Sequence, residues 1–181
     1  MTVIFINGSF GVGKTTVSRL LVERLPRSIL FDPEPVGLLL SRARAVLFPP
    51  LVDDFQDLHA WRRTSIRLIQ LVSRFRATVV VPMAFSNVSY LNEFLTGARA
   101  RGRRVLHFCL TAPPATVRVR LSQRAPRHGP TAWQLRRSQE CCQVHSRPEF
   151  AEHIATEERS PQQVADEILR RIHARIAAPS S

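Results

Sequence analysis

The sequence predicts an α/β domain in which a parallel β-sheet is covered by helices on both faces, and three observations carry that prediction. Short apolar runs alternate with stretches of helical periodicity along the chain. The first run passes through a glycine-rich turn straight into a helix-patterned segment. The length of 181 residues, 44% of them hydrophobic, suits one compact domain over 1–181.

VIFIN (3–7) reads as a buried strand, and Val17, Leu20, Leu21 and Leu25 then recur at helical spacing until Pro26 stops the helix. SILF (28–31) is the second strand, followed by DPEPVG and an apolar segment to Leu47. Pro49 and Pro50 break the chain before a helix expected from about Asp54 to Phe75, with Phe55, Leu58, Ile66 and Ile69 on one face. TVVVP (78–82) is a third strand, and a helix near Ser89 to Arg101 leads to the strand VLHFCL (105–110). Pro113 to Arg124 and Trp133 to His145 read as helices around a loop at 125–131, and Ala151 to Thr156 as a weak fifth strand. The last helix has a written start: Ser160 caps it, Pro161 fits its first turn and Gln163 completes a capping box.

Composition narrows the function. The start MTVIFING lacks a secretory leader and no run of eighteen apolar residues occurs, so a cytoplasmic protein without a transmembrane span is expected. The basic, apolar-striped last helix leaves weak membrane association open, although burial against the sheet explains the stripe more simply. Cys109, Cys141 and Cys142 fit neither a disulfide framework nor a zinc site, and the six histidines show no metal spacing. The net charge of +12 attracts anions, but the arginine pairs are scattered and lack interleaved aromatics, so no dedicated nucleic-acid binding is expected.

Lys14 is the only lysine; every other one of the 26 basic residues is arginine. It stands inside Gly8–Ser9–Phe10–Gly11–Val12–Gly13–Lys14–Thr15, which fills every fixed position of GxxxxGK[ST] between a strand and a helix. The glycines let consecutive amide N–H groups turn inward onto phosphate oxygens, and the dipole of the helix that continues through Thr16 adds to the field. A compact ammonium follows the β- and γ-phosphates in a way that a planar guanidinium does not. ATP is the expected nucleotide, with Mg²⁺ on the Thr15 hydroxyl. Without a second lysine there is no NKxD element, which argues against a regulatory GTPase.

The acceptor side must come from the carboxyl ends of the other strands. Asp32 follows SILF directly, and Pro33 holds it in an extended turn, suited to taking or orienting the proton of an attacking hydroxyl. Glu34 is a second acid or metal-shell candidate. The competing reading makes Asp32 a cap for the helix after Pro35.

INGSFGVGKT, FDPEPVG, DDFQDLHAWR (53–62), VVVPM (79–83), RLSQR (120–124), Trp133 and the HIAT segment near 153 together resemble the tunicamycin-resistance proteins of the P-loop kinase-like superfamily over nearly the whole chain. The resemblance implies a three-layer P-loop sandwich like that of nucleoside monophosphate kinases, with five parallel strands in the order 2-3-1-4-5. It implies substrate-side helices at about 34–75, a lid at about 122–134, and resistance to a uridine-containing antibiotic by phosphorylation. Asp32 and Glu34 then face the acceptor, while Asp53, Gln56, Trp61 and Arg62 form part of the substrate wall. Trp61 is suited to stack on a base or sugar, with core packing as its alternative. Arg120 and Arg124, one helical turn apart, are placed to hold phosphates or stack on adenine; solvated surface arginine is the alternative.

Many P-loop enzymes end the third strand with an aspartate for the magnesium shell, whereas TVVVPM has none. Asp32 is left to serve as base or as magnesium-shell member, and Met83 is expected to line the pocket. The reading favoured is a small-molecule kinase whose partners are ATP and a hydroxyl acceptor, tunicamycin or a nucleoside-sugar-like compound. The alternatives are a nucleotide or nucleoside kinase with another acceptor, and a non-enzymatic ATP-dependent drug binder.

Overall fold

The computed structural model describes residues 1–35, 55–100, 102–124 and 129–177. Asp53, the apolar segment to Leu47, residues 36–54 of the expected 34–75 substrate-side stretch and residues 125–128 of the expected lid lie outside the described residues.

Five parallel strands form one sheet in the order β2-β3-β1-β4-β5. They are β1 (Thr2–Gly8), β2 (Ser28–Leu30), β3 (Thr78–Met83), β4 (Arg104–Thr111) and β5 (His153–Ala155). The helices are α1 (Lys14–Arg24), α2 (His59–Val72), α3 (Val88–Arg99), α4 (Pro114–Arg124), α5 (Ala132–His145) and α6 (Pro161–Ala177). The expected order and both-face coverage are therefore observed.

The continuous apolar character of β1 follows from its place at the centre. Ile4 and Ile6 point into a core with Val17 and Leu21 of α1 and Val164, Ile168 and Ile172 of α6. Val3 and Phe5 alternate to the other face, packing with Trp61 and Ile69 of α2 and Leu91 and Phe94 of α3. Burying each such side chain contributes roughly 1.5–3 kcal/mol, so β1 anchors both layers at once. Its pairing with β3 and β4 brings Asn7 level with Met83 and Cys109. The carboxyl ends of β1, β3 and β4 thus open on the same edge of the sheet.

The helix expected over Asp54 to Phe75 is instead two pieces. A short 3-10 turn (Phe55–Asp57) ends at Leu58, which is extended, and α2 begins at His59. The Gln56 carbonyl accepts from Arg62 Nη1 at 2.7 Å, so a side chain takes the oxygen that a continuous helix would give to a backbone N–H. The Ser160–Gln163 capping box of α6 is present in both directions, 2.8 and 3.2 Å. A second box, Thr131 with Gln134, starts α5. The TAWQ signal for it stands in the sequence, and it places Trp133 in the first turn.

Candidate active site

β1 ends in Gly8, whose φ is +149° and whose added Cβ would lie 2.8 Å from the Leu110 carbonyl oxygen and 2.7 Å from Val12 Cγ1. Only glycine fits where the loop crosses β4 this closely. Gly13, at φ 108°, is the N-cap of α1 and offers no side chain to the first N–H groups. By contrast α3, α5 and α6 are each capped by a side chain. The N-terminus of α1, like that of α2, has no side-chain cap, and its first N–H groups are free of one where the glycine-rich loop meets the helix.

Lys14 is buried at 8% exposure, with its Nζ donating to the Ser9 carbonyl at 2.8 Å and lying 5.4 Å from the centre of the Phe10 ring. Burial pushes its pKa below the usual lysine value, while the Glu34 carboxylate pulls it back up. A phosphate entering here meets a cation that little water screens.

Lys14 and Thr15 share a chamber of about 130 Å³ with Phe10, Asp32, Glu34 and Arg124. The acidic turn is built by β2 and its neighbours. Phe31 N–H bonds the Val80 carbonyl at 2.9 Å, and Asp32 Oδ1 accepts the Glu34 N–H at 3.0 Å. Trp61 Nε1 donates to the Pro33 carbonyl at 3.0 Å, fixing the turn from below. The bond from Asp32 to the Glu34 N–H is the one its capping alternative expects at the start of helical residues 34–35, and the same turn places Asp32 beside the phosphate loop. The Thr15 hydroxyl and the two carboxylates are all hard oxygen donors, a set that fits Mg²⁺ bound mainly through phosphates. No cluster of three or more His, Cys, Asp or Glu side chains able to hold a metal occurs among the described residues.

Behind the loop lies a second cavity of about 320 Å³, where Gly11, Thr16, Arg120, Gln123, Arg124 and Arg159 meet. Arg120 and Arg124, expected to act as a pair, are placed differently. Arg120 donates to Thr156 Oγ1 and to the Thr156 carbonyl, both at 2.9 Å, and to the Val12 carbonyl at 3.4 Å. It ties the phosphate loop to the turn after β5, so its guanidinium is a wall of this cavity and is already committed to protein oxygens. Arg124 borders both the loop cavity and the carboxylate chamber.

A third cleft, about 260 Å³, opens between the 55–57 turn, the residues after β3, and α5. Gln56 borders it, buried, with Nε2 donating to the Ala84 carbonyl at 3.3 Å. Burial places three of the expected substrate-side residues behind the cleft surface, and for Trp61 it selects the core-packing alternative. Trp61 is 0% exposed and packs on Phe94 with ring centres 5.5 Å apart, so it supports the Asp32 turn and offers no ring to a ligand. Arg62, 8% exposed, pairs with Glu93 at 2.7 Å and lies 4.1 Å from the Tyr90 ring centre, bracing the wall from behind. Met83 is fully buried in the core beside Phe85, and its neighbour Pro82 is the residue of VVVPM that reaches the carboxylate chamber.

Several site residues escaped the sequence reading. Asn7 is fully buried and makes a two-way bond with the Phe85 backbone, 3.2 and 2.9 Å, while His145 Nε2 bonds the Phe85 carbonyl at 2.6 Å. Together they hold the turn after β3 that forms one cleft wall. Trp133, Arg136 and Arg137 line the opposite wall from α5. Their spacing of three and four residues is a helix-face signal, yet nothing in it says whether the face meets core, cleft or solvent.

Residues 3–148 match the family described as an AAA domain. The Deinococcus radiodurans tunicamycin resistance protein, a solved structure, is 32% identical, with 94% of this chain and 95% of that one covered at a TM-score of 0.76. The chain belongs to the tunicamycin-resistance family of P-loop kinase-like proteins. Two further solved structures share this family's fold at lower identity. A gluconokinase from Sinorhizobium meliloti is 18% identical over 97% of this chain and 93% of its own, TM-score 0.68. A shikimate kinase from Acinetobacter baumannii in complex with shikimate is 20% identical over 97% and 95%, TM-score 0.59. No curated protein sequence matches the chain. Among the described residues no helix is long and apolar enough to cross a membrane.

Proposed function

We propose that the protein is an ATP-dependent phosphotransferase that modifies a hydroxyl of tunicamycin or a closely related nucleoside-sugar compound. The observation that carries this reading is the single small chamber in which the uncapped helix N-terminus, Lys14 and Thr15 face Asp32 and Glu34. A phosphate grip alone serves binding; a carboxylate held opposite it serves transfer.

In this reading the loop amides and Lys14 hold the β- and γ-phosphates, with Arg124 reaching the same charge from α4. Asp32 has one oxygen fixed by the Glu34 N–H and one left for the acceptor hydroxyl. The acceptor oxygen bonds to the γ-phosphorus, the bond from that phosphorus to the β,γ-bridging oxygen breaks, and ADP leaves. The hydroxyl proton passes to Asp32. Glu34 serves as the counter-charge that keeps the buried Lys14 protonated. Mg²⁺, when bound at Thr15 and the neighbouring carboxylate oxygens, supplies neutralisation of the phosphate charge.

Mass spectrometry of tunicamycin after incubation with ATP, Mg²⁺ and the protein tests the reading. One added phosphate is the expected product. Unmodified drug, with ATP binding intact, would favour sequestration.

A further inference from the structure

We propose that Trp133 and Arg136, on the cleft face of α5, recognise the planar, carbonyl-bearing base of a pyrimidine nucleoside in the acceptor. The inference rests on the phosphotransferase reading for which end of the ligand reacts, but not for whether the base binds.

The cleft residues separate into those already engaged and those still open. Arg137 donates to Ser86 Oγ at 2.6 Å and faces Glu140 at 3.5 Å. Tyr90 donates its hydroxyl to Asp57 Oδ1 at 3.0 Å, and its ring carries the Arg62 guanidinium. Arg136 is exposed and makes no hydrogen bond or ion pair among the described residues. Trp133 is half-buried, touching Phe10 at a tilt of 62° with ring centres 5.5 Å apart. An edge-on contact of this kind fixes the indole while leaving part of its surface toward the cleft.

What remains open is an aromatic surface, a two-pronged donor one helical turn away, and the second oxygen of Asp57 across the gap. A pyrimidine base complements all three. Its ring stacks on the indole, its carbonyl oxygens accept from the guanidinium, and its ring N–H has a carboxylate oxygen to donate to. The volume limits the choice further. About 260 Å³ lies below the roughly 300 Å³ at which pockets begin to enclose a drug-sized molecule, so the cleft takes one ring system and leaves the remainder outside. Placement gives the assignment its mechanistic meaning. Phe10, the partner of Trp133, also lines the chamber of Lys14 and Asp32, so a base seated here sets its own sugar next to the phosphate loop.

The test uses uridine, N-acetylglucosamine and tunicamycin as probes, each added in the presence of a non-hydrolysable ATP analogue. The chain holds two tryptophans, and Trp61 is sealed in the core, so quenching of intrinsic fluorescence reports Trp133. Uridine and tunicamycin are expected to quench and bind, and N-acetylglucosamine alone is not. Trp133→Ala should weaken uridine binding, read by calorimetry, roughly tenfold to a hundredfold. Trp133→Phe should keep most of the affinity. Arg136→Ala, at an exposed position that folding does not depend on, should weaken it about tenfold with nucleotide affinity unchanged. Equal uridine affinity in all variants, absence of uridine binding, or binding only of N-acetylglucosamine would each overturn the proposal. If uridine binds as described but no phosphate is ever transferred, the phosphotransferase reading falls and this inference stands. If transfer occurs with an acceptor KM that ignores both substitutions, the inference falls and the reading stands.

Discussion

His145 makes the structure sensitive to acid in a way that can be calculated. It is 1% exposed, and its Nε2, 2.6 Å from the Phe85 carbonyl, is the nitrogen that donates. Its Nδ1 has no partner among the described residues. Burial lowers its pKa to about 4 from 6.5; Lys14, His107 and Arg137 push the same way, and the bond to Phe85 opposes them. Between those values the unfolded chain takes up a proton that the folded chain refuses. Stability contributed by neutral His145 is complete above the unfolded value and is lost as the pH falls toward the folded one. A gap of about 2.5 pH units at 1.36 kcal/mol each bounds the effect at about 3 kcal/mol, of which about 2 kcal/mol is gone by pH 5. Urea unfolding of the wild type and of His145→Gln at pH 7.5 and pH 5 checks this. The Gln amide can still donate to Phe85, so the wild type should lose about 2 kcal/mol more than the variant over that interval. His107 is also held low by burial; it is present in both proteins, so only its coupling to His145 remains in the difference. Identical pH dependence in the two proteins would refute the reasoning.

Asp32→Asn is expected to bind ATP normally and to lower the transfer rate by about 10²–10⁴-fold, read with labelled ATP; an unchanged rate would remove Asp32 from the chemistry. Gly8→Ala drives a methyl toward the Leu110 carbonyl and Val12 in a loop that cannot retreat, and should lower stability by about 1–3 kcal/mol in a thermal or urea melt. Burial pushes the thiol of Cys109 up to about 12 and that of Cys141 up to about 11, while Cys142 is half-buried at a cavity wall. Brief alkylation of the folded protein at neutral pH should therefore modify Cys142 and spare the other two, as peptide mapping would show.

The phosphate loop was legible because its chemistry is carried by contiguous backbone. Glycines at fixed intervals, one lysine and one threonine specify the shape whatever packs around them. The sheet was legible for a related reason: strands buried on both faces read as unbroken apolar runs, as in VIFIN and TVVVP. The acceptor side was not, because it is assembled from side chains far apart in sequence. Trp61 and Trp133 both stand near the start of amphipathic helices, and periodicity alone cannot tell which tryptophan faces the core. Trp61 meets Phe94 in the core that packs on β1 and β3, and Trp133 meets Phe10 at the cleft. The expected helix over Asp54 to Phe75 failed for a similarly non-local reason. Arg62 reaches back for the Gln56 carbonyl and breaks the ladder, which no propensity at residues 56–58 announces. Asn7 gave no signal at all, since a polar residue at a strand end reads as the start of a turn until Phe85 is seen across from it.

The most direct measurement is calorimetric titration of Mg²⁺–ATP into the wild type and into Lys14→Ala. Saturable binding by the wild type, weakened at least about tenfold to a hundredfold in the variant, is the predicted result, because the only ammonium side chain in the protein, buried and charge-assisted, is lost from the phosphates. Equal affinity in the two proteins would contradict the claim that this loop grips the nucleotide.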